Sequence, residues 1–240
     1  MPTARLLCLP HAGAGPSTFY AWQTVAPEGL QVCPVSLPGR ECRLFEEPYA
    51  SVHDAVGGIA AELAPVLFEG IPVVLFGHCL GALLAYELAR YLHAAGTPVE
   101  HLLVSGTPGP HHVRTQRISG LPEEEFLERV EEIAGYRHEA LSDPEMRELL
   151  LPALRADVQM QEEYRPSGTG PLPVRLTALR GAADGTVSAA EVCQWREATS
   201  APFSVAELPG PHMYFLEQAP AVLELALSSL ADLADQGAPR

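Results

Sequence analysis

The stretch Val73-Val74-Leu75-Phe76-Gly77-His78-Cys79-Leu80-Gly81-Ala82 constrains the fold of this 240-residue chain more than any other. Four apolar residues read as a buried strand, a G-x-C-x-G turn follows, and from Ala82 onward apolar residues recur with the period of a helix. Side chains at the two glycines of so sharp a strand-to-helix turn would collide with neighbouring backbone, and the turn exposes its central residue at the helix N-terminus. The positive end of a helix dipole favours a thiolate there, which makes Cys79 a candidate nucleophile. An ordinary strand-glycine-helix turn can also hold a buried cysteine, so the assignment rests on strand, turn and helix together.

A nucleophile of this kind needs a base, and the base needs an orienting acid. In hydrolases built on such a turn, acid and histidine follow the nucleophile in that order, each just past a strand. Residues 174–179 read as a strand and lead into Arg180-Gly181-Ala182-Ala183-Asp184, while 204–208 read as another and lead into Pro209-Gly210-Pro211-His212. Alone, Asp184 reads as a turn or helix-cap residue and His212 as an unremarkable loop histidine; their joint order and placement make them the candidate acid and base. The first strand ends in Leu9-Pro10-His11-Ala12-Gly13-Ala14-Gly15. Small residues after a strand let a backbone N–H point into the site, so Ala12 and Leu80, the residue after the nucleophile, are the candidate oxyanion-hole donors. No G-x-G-x-x-G or G-K-[ST] is present, which excludes the Rossmann and P-loop alternatives.

Short apolar runs alternate with helical patterns along the chain, the signature of a parallel sheet covered by helices on both faces. Strands are predicted at 6–9, 31–35, 73–76, 102–105, 174–179 and 204–208, and helices at 17–25, 52–67, 82–95, 189–199 and 219–233, with Gly96 as a helix C-cap. Residues 107–165 break the alternation. A turn-rich start gives way to helical patterns at 122–134 and 144–164, with Pro122 and Glu123 to Glu125 in a helix first turn, where acids meet the positive dipole end. This predicts a helical lid, with Phe126 and Leu127 shaping a channel beneath it, inserted in one α/β-hydrolase domain spanning 1–240.

A net charge of −15 argues against a nucleic-acid partner. The absence of lysine excludes Schiff-base chemistry. With 47% hydrophobic and 19% charged residues the chain is expected to fold as a globular protein. The N-terminus lacks a signal-peptide pattern and no apolar run reaches about 18 residues, so a cytoplasmic location without membrane association is expected. Five scattered cysteines (Cys8, Cys33, Cys42, Cys79, Cys193) without CxxC pairing imply neither a disulfide framework nor a zinc site; most read as small buried hydrophobes. His111, His112 and His138 match no metal-ligand spacing and read as solvated lid residues. Arg114 and Arg117 read either as a plain solvated face or as a contact for an acidic partner.

Leu9-Pro10-His11-Ala12-Gly13, Leu37-Pro38-Gly39-Arg40-Glu41-Cys42-Arg43, the segment around Cys79, Arg180-Gly181-Ala182-Ala183-Asp184 and Gly210-Pro211-His212-Met213-Tyr214-Phe215 together resemble the type II thioesterases. These are stand-alone α/β-hydrolase-fold enzymes that accompany nonribosomal peptide and polyketide synthases. The likeness spans nearly the whole chain, including Leu149-Leu150-Leu151-Pro152-Ala153-Leu154-Arg155-Ala156-Asp157 in the lid. It implies a monomeric thioesterase acting on a small-molecule acyl thioester carried by the phosphopantetheine arm of an acyl or peptidyl carrier protein, with no cofactor or metal of its own. The departure is at the nucleophile, where such enzymes normally carry serine. An acyl-cysteine is itself a thioester and reacts readily with amines and thiols, so transfer to a second substrate stands as an alternative to hydrolysis. A dienelactone-hydrolase-like reading shares the cysteine, aspartate and histidine, but the His-Ala-Gly element, the PGR stretch and the lid fit it poorly. A carrier-protein binding module with an inert Cys79 leaves Asp184 and His212 unexplained.

Overall fold

The computed structural model describes residues 2–67, 70–112, 117–135 and 138–236. Six strands, β1 (Ala4–Leu9), β2 (Leu30–Pro34), β3 (Val73–His78), β4 (His101–Ser105), β5 (Arg175–Gly181) and β6 (Phe203–Leu208), form one sheet in the order β2-β1-β3-β4-β5-β6. Every neighbouring pair is parallel. Parallel strands need crossovers, supplied here by α1 (Tyr20–Val25), α2 (Val52–Leu67), α3 (Leu80–Ala94) and α6 (Ala189–Cys193), and α7 (Ala219–Gln236) follows the last strand.

Successive side chains of a strand point to opposite faces, and both faces here are covered. Leu7, Leu9, Leu75, Val104 and Ala178 pack with α2 and α3 on one side. Leu6, Cys8, Val74, Phe76 and Leu179 pack with Trp22 of α1 and with Val222 and Leu223 of α7 on the other. The central strands therefore read as unbroken apolar runs, while the edge strand β6 has no fully buried residue and exposes Ser204, Val205 and Glu207.

Each predicted strand and helix has its counterpart, with ends moved by a few residues. Two predicted helices are mixed: 17–25 begins with the 3₁₀ turn Pro16–Phe19, and 189–199 continues from α6 into the 3₁₀ turn Gln194–Ala198. Gly96, at φ 75°, follows the end of α3 in the left-handed conformation expected of it. Between β4 and β5 no strand occurs among the described residues. That segment carries α4 (Glu123–Ala134) and α5 (Pro144–Glu163), which share a small core of Ile118, Phe126, Leu127, Leu141, Leu154 and Val158. Pro122 stands just outside α4 as its N-cap residue. No helix among the described residues is long and apolar enough to cross a membrane. The reading of the cysteines as mostly buried is corrected: Cys8 is buried, Cys33 and Cys79 are partly exposed, and Cys42 and Cys193 are exposed. Single cysteines carry no periodic pattern from which exposure can be read.

Candidate active site

The strand order reverses at β1, whose two neighbours are β2 and β3, and in open parallel sheets the crevice at the carboxyl ends beside such a reversal is where ligands bind. Cys79 follows β3 on one side of that crevice, and the loop from His11 to Ala14 follows β1 on the other. Cys79 has φ 54° and ψ −115°, a conformation costing a non-glycine residue about 1–3 kcal/mol. The two glycines make the turn possible. A Cβ at Gly77 would lie 1.9 Å from the Gly81 carbonyl oxygen, and one at Gly81 would lie 2.2 Å from that of Leu9. Gly81 thus lets the start of α3 press against the end of β1, bringing Leu80 beside the His11 loop. Leu80 is the first residue of α3, so its N–H has no acceptor within the helix.

His212 is 5% exposed, and its Nδ1 lies 2.8 Å from Asp184 Oδ2. Because a carboxylate only accepts, Nδ1 carries the proton, and Nε2, buried without a hydrogen-bond partner among the described residues, is the nitrogen left for the neighbouring Cys79 sulfur. Asp184 is fixed in turn. Its Oδ1 accepts from Thr186 N at 2.8 Å, Thr186 Oγ1 at 2.7 Å and Val187 N at 3.3 Å, and Thr186 Oγ1 also lies 2.9 Å from His212 Nδ1. Burial opposes charge on both partners and is overcome on both. The bonds to His212 and Thr186 hold the Asp184 carboxyl down at about 2. Asp184 and the Cys79 sulfur push the His212 imidazole up to about 9.

Two further imidazoles stand close. The His78 ring centroid is 4.7 Å from that of His212 and 4.4 Å from that of Phe215, and its Nδ1 is 2.9 Å from Ser105 Oγ, itself 2.7 Å from the Tyr214 hydroxyl. Burial, then the neighbouring His212 charge, holds His78 well below the ordinary imidazole value, and the same two causes take His11 down to about 3. Of the three rings only His212 carries charge at neutral pH. Gly106, at φ 60°, leaves the room they need, since a Cβ there would lie 2.3 Å from His78 Cε1 and 3.1 Å from His212 Cε1.

The loop after β1 is anchored from the insertion. Gly13 N–H donates to Asp157 Oδ2 of α5 at 2.8 Å, and Arg40 holds the same carboxylate through both terminal nitrogens, at 2.5 and 2.9 Å, while also donating to the Ala14 carbonyl at 3.2 Å. Arg40 and Asp157 are 3% and 0% exposed. The Gly13 amide is committed to Asp157 and that of Ala14 to the His11 carbonyl, and neither bond engages the N–H of Ala12. One turn beyond Asp157, the Gln161 carboxamide lies against the candidate nucleophile: Nε2 is 3.3 Å and Oε1 3.6 Å from Cys79 Sγ.

Cys79 and His212 open into a cavity of about 520 Å³ walled by Ile118, Val130, Ile133, Leu154 and Val158. A second cavity of about 600 Å³, lined by Leu127, Leu141, Met146 and Leu150, shares His11, Ala12, Val130 and Leu154 with the first. The structure therefore brings Cys79, Asp184, His212, Ala12 and Leu80 to one crevice. It sets Phe126 elsewhere: fully buried beneath the Arg155 guanidinium, which stacks 4.3 Å from its ring, it belongs to the core of the insertion, and Leu127 alone of that pair lines a cavity. His111, His112, His138 and Arg117 are exposed, and Arg114 lies outside the described residues. No cluster of three or more metal-ligating side chains occurs among the described residues.

Sequence reasoning missed Thr186, Gln161 and the Arg40–Asp157 pair. The Arg40 and Asp157 segments were visible as family-like stretches, but nothing local joins residues 117 positions apart.

A crevice at the switch point of a parallel sheet, with a strained strand-to-helix turn at Cys79 beside an imidazole held by a carboxylate, defines an α/β-hydrolase-fold protein. The chain matches the family described as Thioesterase domain over residues 4–230 and belongs to it. It is 36% identical over 229 residues to the gramicidin S biosynthesis protein GrsT of Aneurinibacillus migulanus, covering 94% of this chain and 88% of that protein. Among solved structures, RedJ, a thioesterase from the prodiginine pathway of Streptomyces coelicolor, superposes with a TM-score of 0.83 at 33% identity, covering 95% of this chain and 84% of RedJ. BorB, a type II thioesterase from the borrelidin biosynthetic cluster, gives 0.83 at 32% identity, with 96% and 93% covered. The chain is a type II thioesterase of the nonribosomal peptide and polyketide pathways.

Proposed function

We propose that the protein cleaves acyl groups from phosphopantetheine thioesters on carrier proteins through an acyl-enzyme on Cys79, with His212 as proton carrier and Asp184 as its orienting acid. The observation that carries this reading is the placement of His212 between the Asp184 carboxylate and the Cys79 sulfur, with its imidazole pushed up to about 9. An imidazole held that high is protonated at neutral pH and stabilises a thiolate beside it. The thiolate attacks the thioester carbonyl carbon, and the developing oxyanion takes hydrogen bonds from the Ala12 and Leu80 N–H groups. Collapse breaks the bond to the pantetheine sulfur, which leaves with the proton from His212. The neutral His212 then removes a proton from water as it attacks the acyl-cysteine, and collapse returns the Cys79 thiolate and releases the acid. The insertion between β4 and β5 acts as the lid, and its apolar walls suit an acyl chain. No metal or cofactor enters this scheme.

Mass spectrometry after incubation with acylated carrier protein tests the reading. The expected result is an acyl adduct on Cys79, absent in Cys79→Ala. Turnover of Cys79→Ala near the wild-type rate would falsify it.

A second reading, acyl transfer to an amine or thiol, is favoured by the sulfur itself, because an acyl-cysteine retains the activation that a serine ester loses.

A further inference from the structure

Gln161 lies on α5, one helical turn after Asp157, so the two side chains share a face of that helix. It is 8% exposed, and among the described residues both hydrogen bonds recorded for its carboxamide go to the Cys79 sulfur. Buried polar groups are placed where they find partners, and here the partner is the reacting atom of another element, 82 residues away in the chain. The two contacts have opposite polarity. Oε1 accepts from the sulfur when it is a thiol, and Nε2–H donates to it when it is a thiolate.

We propose that Gln161 is a catalytic residue that donates a hydrogen bond from Nε2 to the Cys79 thiolate, so that the insertion helix, and not only His212, sets the readiness of the nucleophile. This rests on the reading of Cys79 as nucleophile. When the sulfur is acylated it loses its charge and with it most of its strength as an acceptor, which frees the carboxamide. When the acyl group leaves, the donor again meets a thiolate and stabilises it as leaving group. The contact suits sulfur in particular, since a hydroxyl oxygen on the same Cβ would lie on a shorter bond and farther from the amide.

The test is the pH dependence of Cys79 alkylation by iodoacetamide, followed by peptide mass spectrometry so that the exposed Cys42 and Cys193 do not enter the rate. Gln161→Met keeps an unbranched chain of similar length without the donor. Its alkylation midpoint is expected to move up by about one to two pH units, the equivalent of a hydrogen bond to a charged group, with the plateau rate at high pH unchanged. Gln161→Glu, of nearly the same shape, faces the sulfur with a second negative charge and is expected to move the midpoint at least as far. Should Gln161→Met fail to fold, Gln161→Glu carries the test alone, its fold checked by its urea midpoint. Profiles that superpose on wild type in a folded variant overturn the proposal. The same samples, incubated with acylated carrier protein, separate this idea from the one beneath it. Acylation of wild-type Cys79 with unmoved profiles removes the role of Gln161 alone, and moved profiles without acylation remove the nucleophile reading while leaving the hydrogen bond.

Discussion

Asp157→Ala tests whether α5 holds the loop after β1, the candidate oxyanion loop, in place. The substitution leaves the Arg40 guanidinium, 3% exposed, without its counter-charge, and breaking a buried pair by removing one partner costs about 3–5 kcal/mol. The Gly13 N–H loses its acceptor as well, a loss of about 1–3 kcal/mol if the group stays dry. One carboxylate serves both, so the costs overlap and the expected total is about 3–5 kcal/mol. For a chain of this size that lowers Tm by roughly 6–20 °C. The assay is equilibrium unfolding in urea together with turnover of an acyl-pantetheine thioester. The double variant Arg40→Met/Asp157→Leu removes both charges and fills the space with apolar atoms, a change that is often neutral or stabilising. It recovers most of the stability but leaves Gly13 without its anchor, so its kcat stays low, by at most the roughly 10²–10³-fold that one oxyanion donor is worth. A single variant that unfolds within about 1 kcal/mol of wild type refutes the energetic argument. A double variant that regains full turnover along with stability refutes the link between turnover and the loop after β1.

His212→Ala is expected to lower turnover by about 10²–10⁴-fold at neutral pH, measured as kcat/KM with one acyl carrier substrate. Because the folded imidazole sits at about 9 against an ordinary 6.5, its contribution to stability is full below pH 6.5 and is lost as pH rises through 9. Urea midpoints in that window should fall less steeply in His212→Ala than in wild type, and parallel slopes would count against the pairing. The Asp184 carboxyl, held at about 2 against an ordinary 3.8, contributes above 3.8 and loses its contribution as pH falls through 2. Gly106→Ala places a methyl against His78 and His212 at positive φ, so activity should fall by a larger factor than an unfolding cost of about 1–3 kcal/mol predicts, and unchanged turnover would show that the rings do not need that space. Leu127→Ala should change preference among acyl chain lengths, whereas Phe126→Ala, which hollows the insertion core, should lower Tm and all substrates alike. Cys79→Ser should shift product from acyl-acceptor conjugates toward free acid, read by chromatography with amines and thiols present; free acid alone from both variants ends the transfer reading.

The sheet was legible because its central strands are apolar on both faces and its crossovers carry helical periods, so period and punctuation alone separated the elements. Cys79, Asp184 and His212 were legible for a related reason: each ends a strand, and strand ends are visible as the place where an apolar run meets glycine or proline. What surrounds them was not. Asp157, Gln161 and Glu162 are polar residues on a long helix, a pattern that reads as a solvated face, yet the structure buries all three. Their partners, Arg40, Cys79 and Ser119, lie 117, 82 and 43 positions away, beyond the reach of any local pattern. Thr186 escaped notice because a threonine two residues past an aspartate is an ordinary turn feature until the carboxylate proves to be holding a histidine.

The same burial gives α5 a character that a cover over a pocket does not need. Glu162 accepts from Ile118 N at 2.6 Å and from Ser119 N at 3.1 Å, Gln161 reaches the sulfur, and Asp157 is locked to Arg40 and Gly13. Three polar attachments, each from a buried side chain, fix the helix to the start of its own insertion, to the Cys79 sulfur and to the loop after β1. Lifting α5 off the sheet would expose an ion pair and break its bonds to Gly13 and to the Cys79 sulfur at once. By contrast, the ion pairs that tie α4 to α5 among the described residues are those of Arg147 with Glu123 and Glu124, with exposed carboxylates and worth about 0–1 kcal/mol each, beside the stacking of Arg155 of α5 on Phe126 of α4. The wall that carries Gln161 is therefore the rigid one, and it is rigid on the side where the distance to the sulfur decides how the charge on that sulfur is held.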